Sequence, residues 1–128
     1  MYQVGIKNTF RASHFLVGDF AEETLPHEHE YTVEWICSTN VLDENGFSVD
    51  IALMEEELQR MVDRIQGKLL NDLPFFKDRQ VSVENMAHYI HAALAQALEE
   101  SGHTMESILE SRIRIWESDT AWAAYVHS

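Results

Sequence analysis

The chain has 128 residues, 45% of them hydrophobic, which is one domain of ordinary size: enough for a two-layer core, but small for an enzyme that encloses its substrate alone. Nine Lys and Arg stand against 22 Asp and Glu, and the resulting formal charge of −13 repels a phosphate backbone, arguing against nucleic acid as a partner. No apolar run approaches the roughly 20 residues of a membrane-spanning helix; the N-terminus lacks a signal peptide's basic-then-apolar pattern, and the single cysteine, Cys37, excludes an internal disulfide, so a cytoplasmic protein is expected.

In chain order, residues 2–14 and 29–39 read as strands, separated by an acidic loop at 19–24 that would carry Glu23 towards His27. Asn45-Gly46 marks a turn before a short extended piece at 47–49. Asp50 is placed to cap a helix whose apolar positions, Ile51, Met54, Leu58, Met61, Val62 and Ile65, recur at helical spacing until Gly67 ends it. Ser82 caps a second helix with Val83, Met86, Ile90, Leu94 and Leu98 on one face, stopped by Ser101-Gly102. Strands at about 108–117 and 121–127 complete the chain. No repeat or linker divides it, so residues 1–128 form one α+β domain: a four-stranded antiparallel sheet with both helices packed on one face.

The residues that carry chemistry sit near the start. Successive strand residues point to opposite faces, so His27 and His29 project to one side, and His14 at the end of the first strand can be brought alongside by antiparallel pairing. Three neutral imidazoles around Zn²⁺ leave a fourth position for water or substrate, as in catalytic zinc sites. Near the other end, Glu117 follows Ile113 and Ile115 at strand alternation and projects from the same apolar-lined face, where a carboxylate needs a partner.

The succession Phe10-Arg-Ala-Ser-His14, Pro26-His27-Glu28-His29-Glu30-Tyr31, Gly46-Phe-Ser-Val-Asp50, Leu70-Asn-Asp72, Val83-Glu84-Asn85 and Ile115-Trp-Glu117 resembles the 6-pyruvoyl-tetrahydropterin synthase family, which includes the 6-carboxy-tetrahydropterin synthases of queuosine biosynthesis. The resemblance runs from about Tyr2 to Tyr125. It implies the tunnelling fold, in which sheets close into a barrel by oligomerisation, as a trimer built into a hexamer. It implies Zn²⁺ held by His14, His27 and His29, a pterin substrate such as 7,8-dihydroneopterin triphosphate, and Glu117 as the carboxylate that anchors the pterin ring through paired hydrogen bonds.

Departures from the family pattern bear on the reaction. Where members carry a cysteine just before the histidine pair, this chain has Glu23; where they carry Asp-His before Leu-Asn-Asp, it has Gln66-Gly67. Cys37 does not replace the thiol: eight residues beyond His29 on one strand, it lies roughly 26 Å away. A carboxylate can accept a proton from a metal-held hydroxyl, and Glu23 resembles the glutamate of a family branch that cleaves the side chain to give 6-hydroxymethyl-dihydropterin for folate synthesis. Fourth zinc ligand and solvated loop acid are the other roles open to it. His88 and His91, three apart on the second helix, could form a second metal site or donate an imidazole, but they fall beside the apolar stripe and read more simply as boundary or surface residues. His103 and His127 carry no comparable signal, and Trp35, Trp116 and Trp122 read as packing residues.

The sequence therefore points first to a zinc-dependent lyase of pterin metabolism that works as a homo-oligomer. A catalytically altered or inactive homologue that binds a pterin or purine-like ligand, as a sensor or partner subunit, is the alternative.

Overall fold

The computed structural model describes residues 1–102 and 106–128; His103 lies outside the described residues. Strands β1 (Tyr2–His14) and β2 (His27–Thr39) are followed by helices α1 (Ile51–Ile65) and α2 (Val83–Glu100) and by strands β3 (Glu110–Trp116) and β4 (Trp122–His127). The sheet runs β1-β2-β3-β4 with every neighbour antiparallel. Among the described residues no helix is long and apolar enough to cross a membrane.

Alternation along the strands decides which face is dry. Phe10 and Ala12 of β1, Tyr31, Val33, Trp35 and Cys37 of β2, and Ile113 and Ile115 of β3 are all buried on the face that the helices cover. Each large apolar side chain buried there contributes roughly 1.5–3 kcal/mol relative to an exposed one. α1 packs chiefly on β1, α2 on β3 and β4. Cys37 is a buried hydrophobe, and burial pushes its thiol up to about 11, far from a reactive thiolate at neutral pH.

Both helices start where capping chemistry places them. The Asp50 carboxylate accepts the Leu53 N–H at 3.2 Å, and the Ser82 hydroxyl accepts that of Asn85 at 3.1 Å. Such caps contribute about 1 kcal/mol each. Ile51 differs from expectation in being exposed: it is the first residue of α1, and the covered stripe begins a turn later, at Met54. Glu57 is buried at the edge of that stripe and held by Arg60 at 2.8 Å.

Two further expectations are corrected. Within residues 47–49, Ser48 and Val49 bend instead of extending. The Asp43 carboxylate accepts the N–H groups of Asn45 and Phe47, both at 2.9 Å, curling the chain, and the last residues of β2 already pair with Tyr2 on one side and Glu110 on the other. No edge is left there for a strand to join. His91 is buried, with only 6% of its surface exposed, and is not a surface residue. Tyr125 and His127 of β4 cover it, with ring centroids 5.1 and 5.6 Å away, while His88 stacks on Tyr125 at 4.4 Å.

Burial, then the neighbouring His127 and His88, lowers His91 from 6.5 to about 4, so the folded state keeps this imidazole neutral where the unfolded chain protonates it. Stability is therefore complete above about 6.5 and falls as pH drops towards 4, by on the order of 3 kcal/mol from this group. Glu99 borders the same cavity as His88, His91 and His127. Urea unfolding of wild type and His91→Phe between pH 7 and 4 checks this: the variant should lose markedly less stability on acidification.

Candidate metal centre

The full-length pairing of β1 with β2 sets His14 directly opposite His27, and His29 follows two residues on, opposite Ala12. All three imidazoles thus rise from the helix-covered face at one end of the sheet. Each offers one ligand nitrogen, and these three atoms lie within 4.8 Å of one another. Ring centroids are 4.5 Å apart for His14 and His27, 5.0 Å for His27 and His29, and 6.1 Å for His14 and His29.

Hydrogen bonds from behind assign the tautomers. His14 Nδ1 is 2.8 Å from the Val81 carbonyl oxygen, and His27 Nδ1 is 2.9 Å from that of Leu25. A carbonyl only accepts, so each Nδ1 carries a proton, and in the neutral imidazole the free lone pair is then on Nε2. His14 is buried, and its Nε2 has no hydrogen-bond partner among the described residues. Burial lowers the His14 pKa; the Val81 bond opposes this, and His27 and His29 reinforce it. A neutral, oriented, unpartnered imidazole beside two more is the donor set that a borderline-soft divalent ion takes.

Local structure explains how these carbonyls are placed. Beyond His14, the Asn71 side chain clasps Phe15 through both its N–H and its C=O, each at 3.0 Å, and Gln80 clasps Val17 in the same way at 2.8 and 3.0 Å. These clasps fasten the end of β1 to the segment leading into α2, and Val81 follows Gln80 directly. An open cavity of about 810 Å³ lies alongside, bordered by Phe15, Asn71, Lys77, Arg79 and Gln80.

Glu117, just past β3, is half-buried, and its negative charge favours protonation of both His14 and Tyr31. It also borders a cavity of about 340 Å³ on the helix-free face, with Lys7, Glu34 and Trp116, so it stands at the rim between the two faces. Glu23 is exposed, in a 3-10 turn at Ala21–Thr24. Its backbone carbonyl accepts the Leu16 N–H at 2.8 Å and closes the loop between β1 and β2, but its carboxylate is not in the cluster of ligand atoms. Gln66 and Gly67 are occupied structurally. The Gln66 side chain accepts the Arg11 N–H at 3.0 Å, and Gly67, at φ +75°, donates to the Arg11 carbonyl at 2.7 Å. A side chain at position 67 would be strained by that backbone conformation.

One residue of the site was not singled out in the sequence. Tyr31 is fully buried two residues beyond His29, its ring 5.7 Å from that of His29, and its hydroxyl has no partner among the described residues. Burial first, then the Glu117 charge, raises its pKa well above the ordinary value, so the hydroxyl keeps its proton. The signal available in the sequence was its place on the same strand face as the two histidines.

The 6-pyruvoyl tetrahydropterin synthase family model matches residues 3–128. Among solved structures, 6-pyruvoyl tetrahydropterin synthase from Caenorhabditis elegans is 21% identical, with a TM-score of 0.81 over 99% of this chain and 96% of that one. The Plasmodium falciparum protein is 17% identical, with a TM-score of 0.77 over 98% and 97%. The Plasmodium vivax synthase, solved as a variant with cysteine replacing a catalytic glutamate, is 13% identical, with a TM-score of 0.80 over 98% and 97%. A search of curated protein sequences finds no match. With the family model spanning all but its first two residues and the tunnelling fold shared across both chains' lengths, the protein belongs to the 6-pyruvoyl tetrahydropterin synthase family.

Proposed function

We propose that the chain is a zinc-dependent, pterin-binding enzyme acting on 7,8-dihydroneopterin triphosphate or a close relative. The observation that carries the reading is the convergence of three ligand nitrogens, two of them fixed as free Nε2 atoms by backbone carbonyls. His14, His27 and His29 would hold Zn²⁺, which when bound polarises a hydroxyl and lowers its pKa. Glu117 anchors the ring by accepting two parallel N–H groups, a match to a carboxylate's two oxygens. Lys77 and Arg79, beside Asp72 and Asp78 in the cavity next to Phe15, supply cations for a phosphate-bearing side chain in an otherwise acidic protein.

Glu23 is the proposed proton acceptor, and side-chain cleavage to 6-hydroxymethyl-dihydropterin is the reaction it would serve. A catalytic glutamate in the Plasmodium vivax relative gives this residue type a precedent within the fold. In the single chain Glu23 is exposed, as are Val17, Phe20 and Leu25 of the same loop. Apolar side chains left open beside a polar site are what a neighbouring subunit covers. The site is accordingly proposed to be completed in a homo-oligomer whose β1 and β4 edges pair into a barrel, a trimer or a hexamer of two trimers, in the cytoplasm.

A second reading, a pterin-binding sensor or partner subunit without turnover, is favoured by one observation: Gln66 and Gly67 serve to hold β1 and offer no titrating group.

Metal analysis of the purified chain should give one zinc per subunit, and His29→Ala should lose most of it while the fold is retained by circular dichroism. Zinc-loaded wild type incubated with 7,8-dihydroneopterin triphosphate should yield 6-hydroxymethyl-dihydropterin by mass spectrometry. A 6-pyruvoyl or 6-carboxy product would instead require another proton-transfer group. Glu23→Gln should lower turnover about 100-fold or more and leave pterin affinity within about twofold. Tight pterin binding without turnover in wild type would select the sensor.

A further inference from the structure

Two buried side-chain polar atoms without a partner among the described residues, His14 Nε2 and Tyr31 Oη, belong to rings 6.2 Å apart on the same sheet face. The first is accounted for by the proposed metal. The second is not, and a buried hydroxyl without a partner costs roughly 1–3 kcal/mol. The rest of the Tyr31 side chain gives no reason for the oxygen. The ring stacks on Phe10 at 5.2 Å and lies against His29, contacts that phenylalanine would make equally well. Phenylalanine here would be the more stable choice for packing alone.

Position supplies a reason. Side chains stand roughly perpendicular to a sheet, so Tyr31 rises beside His29 and His14 from neighbouring points of the same surface. Glu117 lies close enough for its charge to act on both Tyr31 and His14. The hydroxyl is a donor short of an acceptor, on a ring 5.7 Å from that of His29 and 6.2 Å from that of His14. An oxygen-bearing ligand held at the triad would satisfy the donor once the side chains that now cover Tyr31 give way to it.

We propose that Tyr31 is a ligand-binding residue of this site, its hydroxyl donating a hydrogen bond to a side-chain hydroxyl oxygen of the bound pterin. The inference rests on the pterin-binding reading above. It predicts opposite signs for two properties of Tyr31→Phe: the metal-free chain gains stability, and the zinc-loaded chain loses affinity for ligands that carry the hydroxyl.

The test measures thermal unfolding of metal-free wild type and Tyr31→Phe, then the affinity of both zinc-loaded proteins for 7,8-dihydroneopterin and for 6-methyl-7,8-dihydropterin, which lacks the side-chain hydroxyls. The variant should melt about 3 °C higher, bind dihydroneopterin about tenfold more weakly, and bind the methyl analogue as wild type does, closing a thermodynamic cycle on one contact. Equal loss of both ligands, or unchanged affinity for dihydroneopterin, overturns the assignment, as does a lower melting temperature, which would show that the oxygen has a partner in the protein. Failure of wild type to bind either pterin overturns the functional reading as well, and so is distinguishable from failure of this contact alone. If the variant does not fold, wild type labelled with 3-fluorotyrosine gives the same answer: the Tyr31 fluorine resonance should shift with dihydroneopterin and not with the methyl analogue.

Discussion

The register of β1 on β2 is the constraint on which the rest of the site depends. Pairing runs without a bulge from Tyr2 opposite Thr39 to His14 opposite His27. A slip of one residue would turn every side chain of one strand to the other face, sending His14 away from His27 and exposing Phe10. The two faces oppose that slip in different ways. On the dry side Phe10 stacks on Tyr31; on the other, Arg11 reaches Glu28 and Glu30 at 3.2 and 3.3 Å. The ion pairs are more than half exposed and add little energy. The buried aromatic pair carries most of the specificity, and the geometry of the histidine cluster follows from a packing decision made two to four residues away.

Holding the imidazoles needs a second layer, which comes from irregular backbone. Side-chain amides substitute for strand partners along the segment past His14, where Asn71 and Gln80 each satisfy a backbone donor and acceptor at once. The segment at 66–68 does the same for β1 itself, so that Arg11 and Ser13 are satisfied on the edge facing away from β2. This arrangement blunts the upper half of the β1 edge. It also explains why the residues at 66 and 67 have structural duties: a polar acceptor with reach at one position and a left-handed backbone at the next. Recruiting a proton donor at position 67 would sacrifice that conformation.

Legibility of the fold in the sequence followed the range of the interactions. Strand alternation, the Asp50 and Ser82 caps and the helix stops are local, and the elements they mark were found to within two residues. The histidine cluster was legible because two of its members share a strand and the third lies at the end of its neighbour. What escaped depends on partners distant in sequence. His91 lies beside the apolar stripe of α2, yet β4 closes over it; residues 47–49 have strand-like character but no free edge to join. The position of Glu23 shows the same limit from the other side: proximity along the chain to His27 does not bring its carboxylate into the cluster.

The helix-free face bears on what the proposed assembly must accomplish. Lys7, Arg112 and Arg114 stand there among Glu30, Glu34 and Glu110, with Arg114 bonded to Glu34 at 2.8 Å and lying over the rings of Trp116 and Trp122. The Trp116 indole N–H donates to the same Glu34, whose pKa is lowered chiefly by the Arg114 hydrogen bond. A surface of this kind cannot become a dry core without stranding charge, so closure of the sheet must leave it facing a hydrated interior. Glu117 stands at the rim between that interior and the histidines. In a closed barrel, the carboxylate proposed to hold the pterin ring would therefore be reached along the boundary between two layers, one packed and one wet. This accounts for a half-buried carboxylate tolerated so close to the histidine cluster.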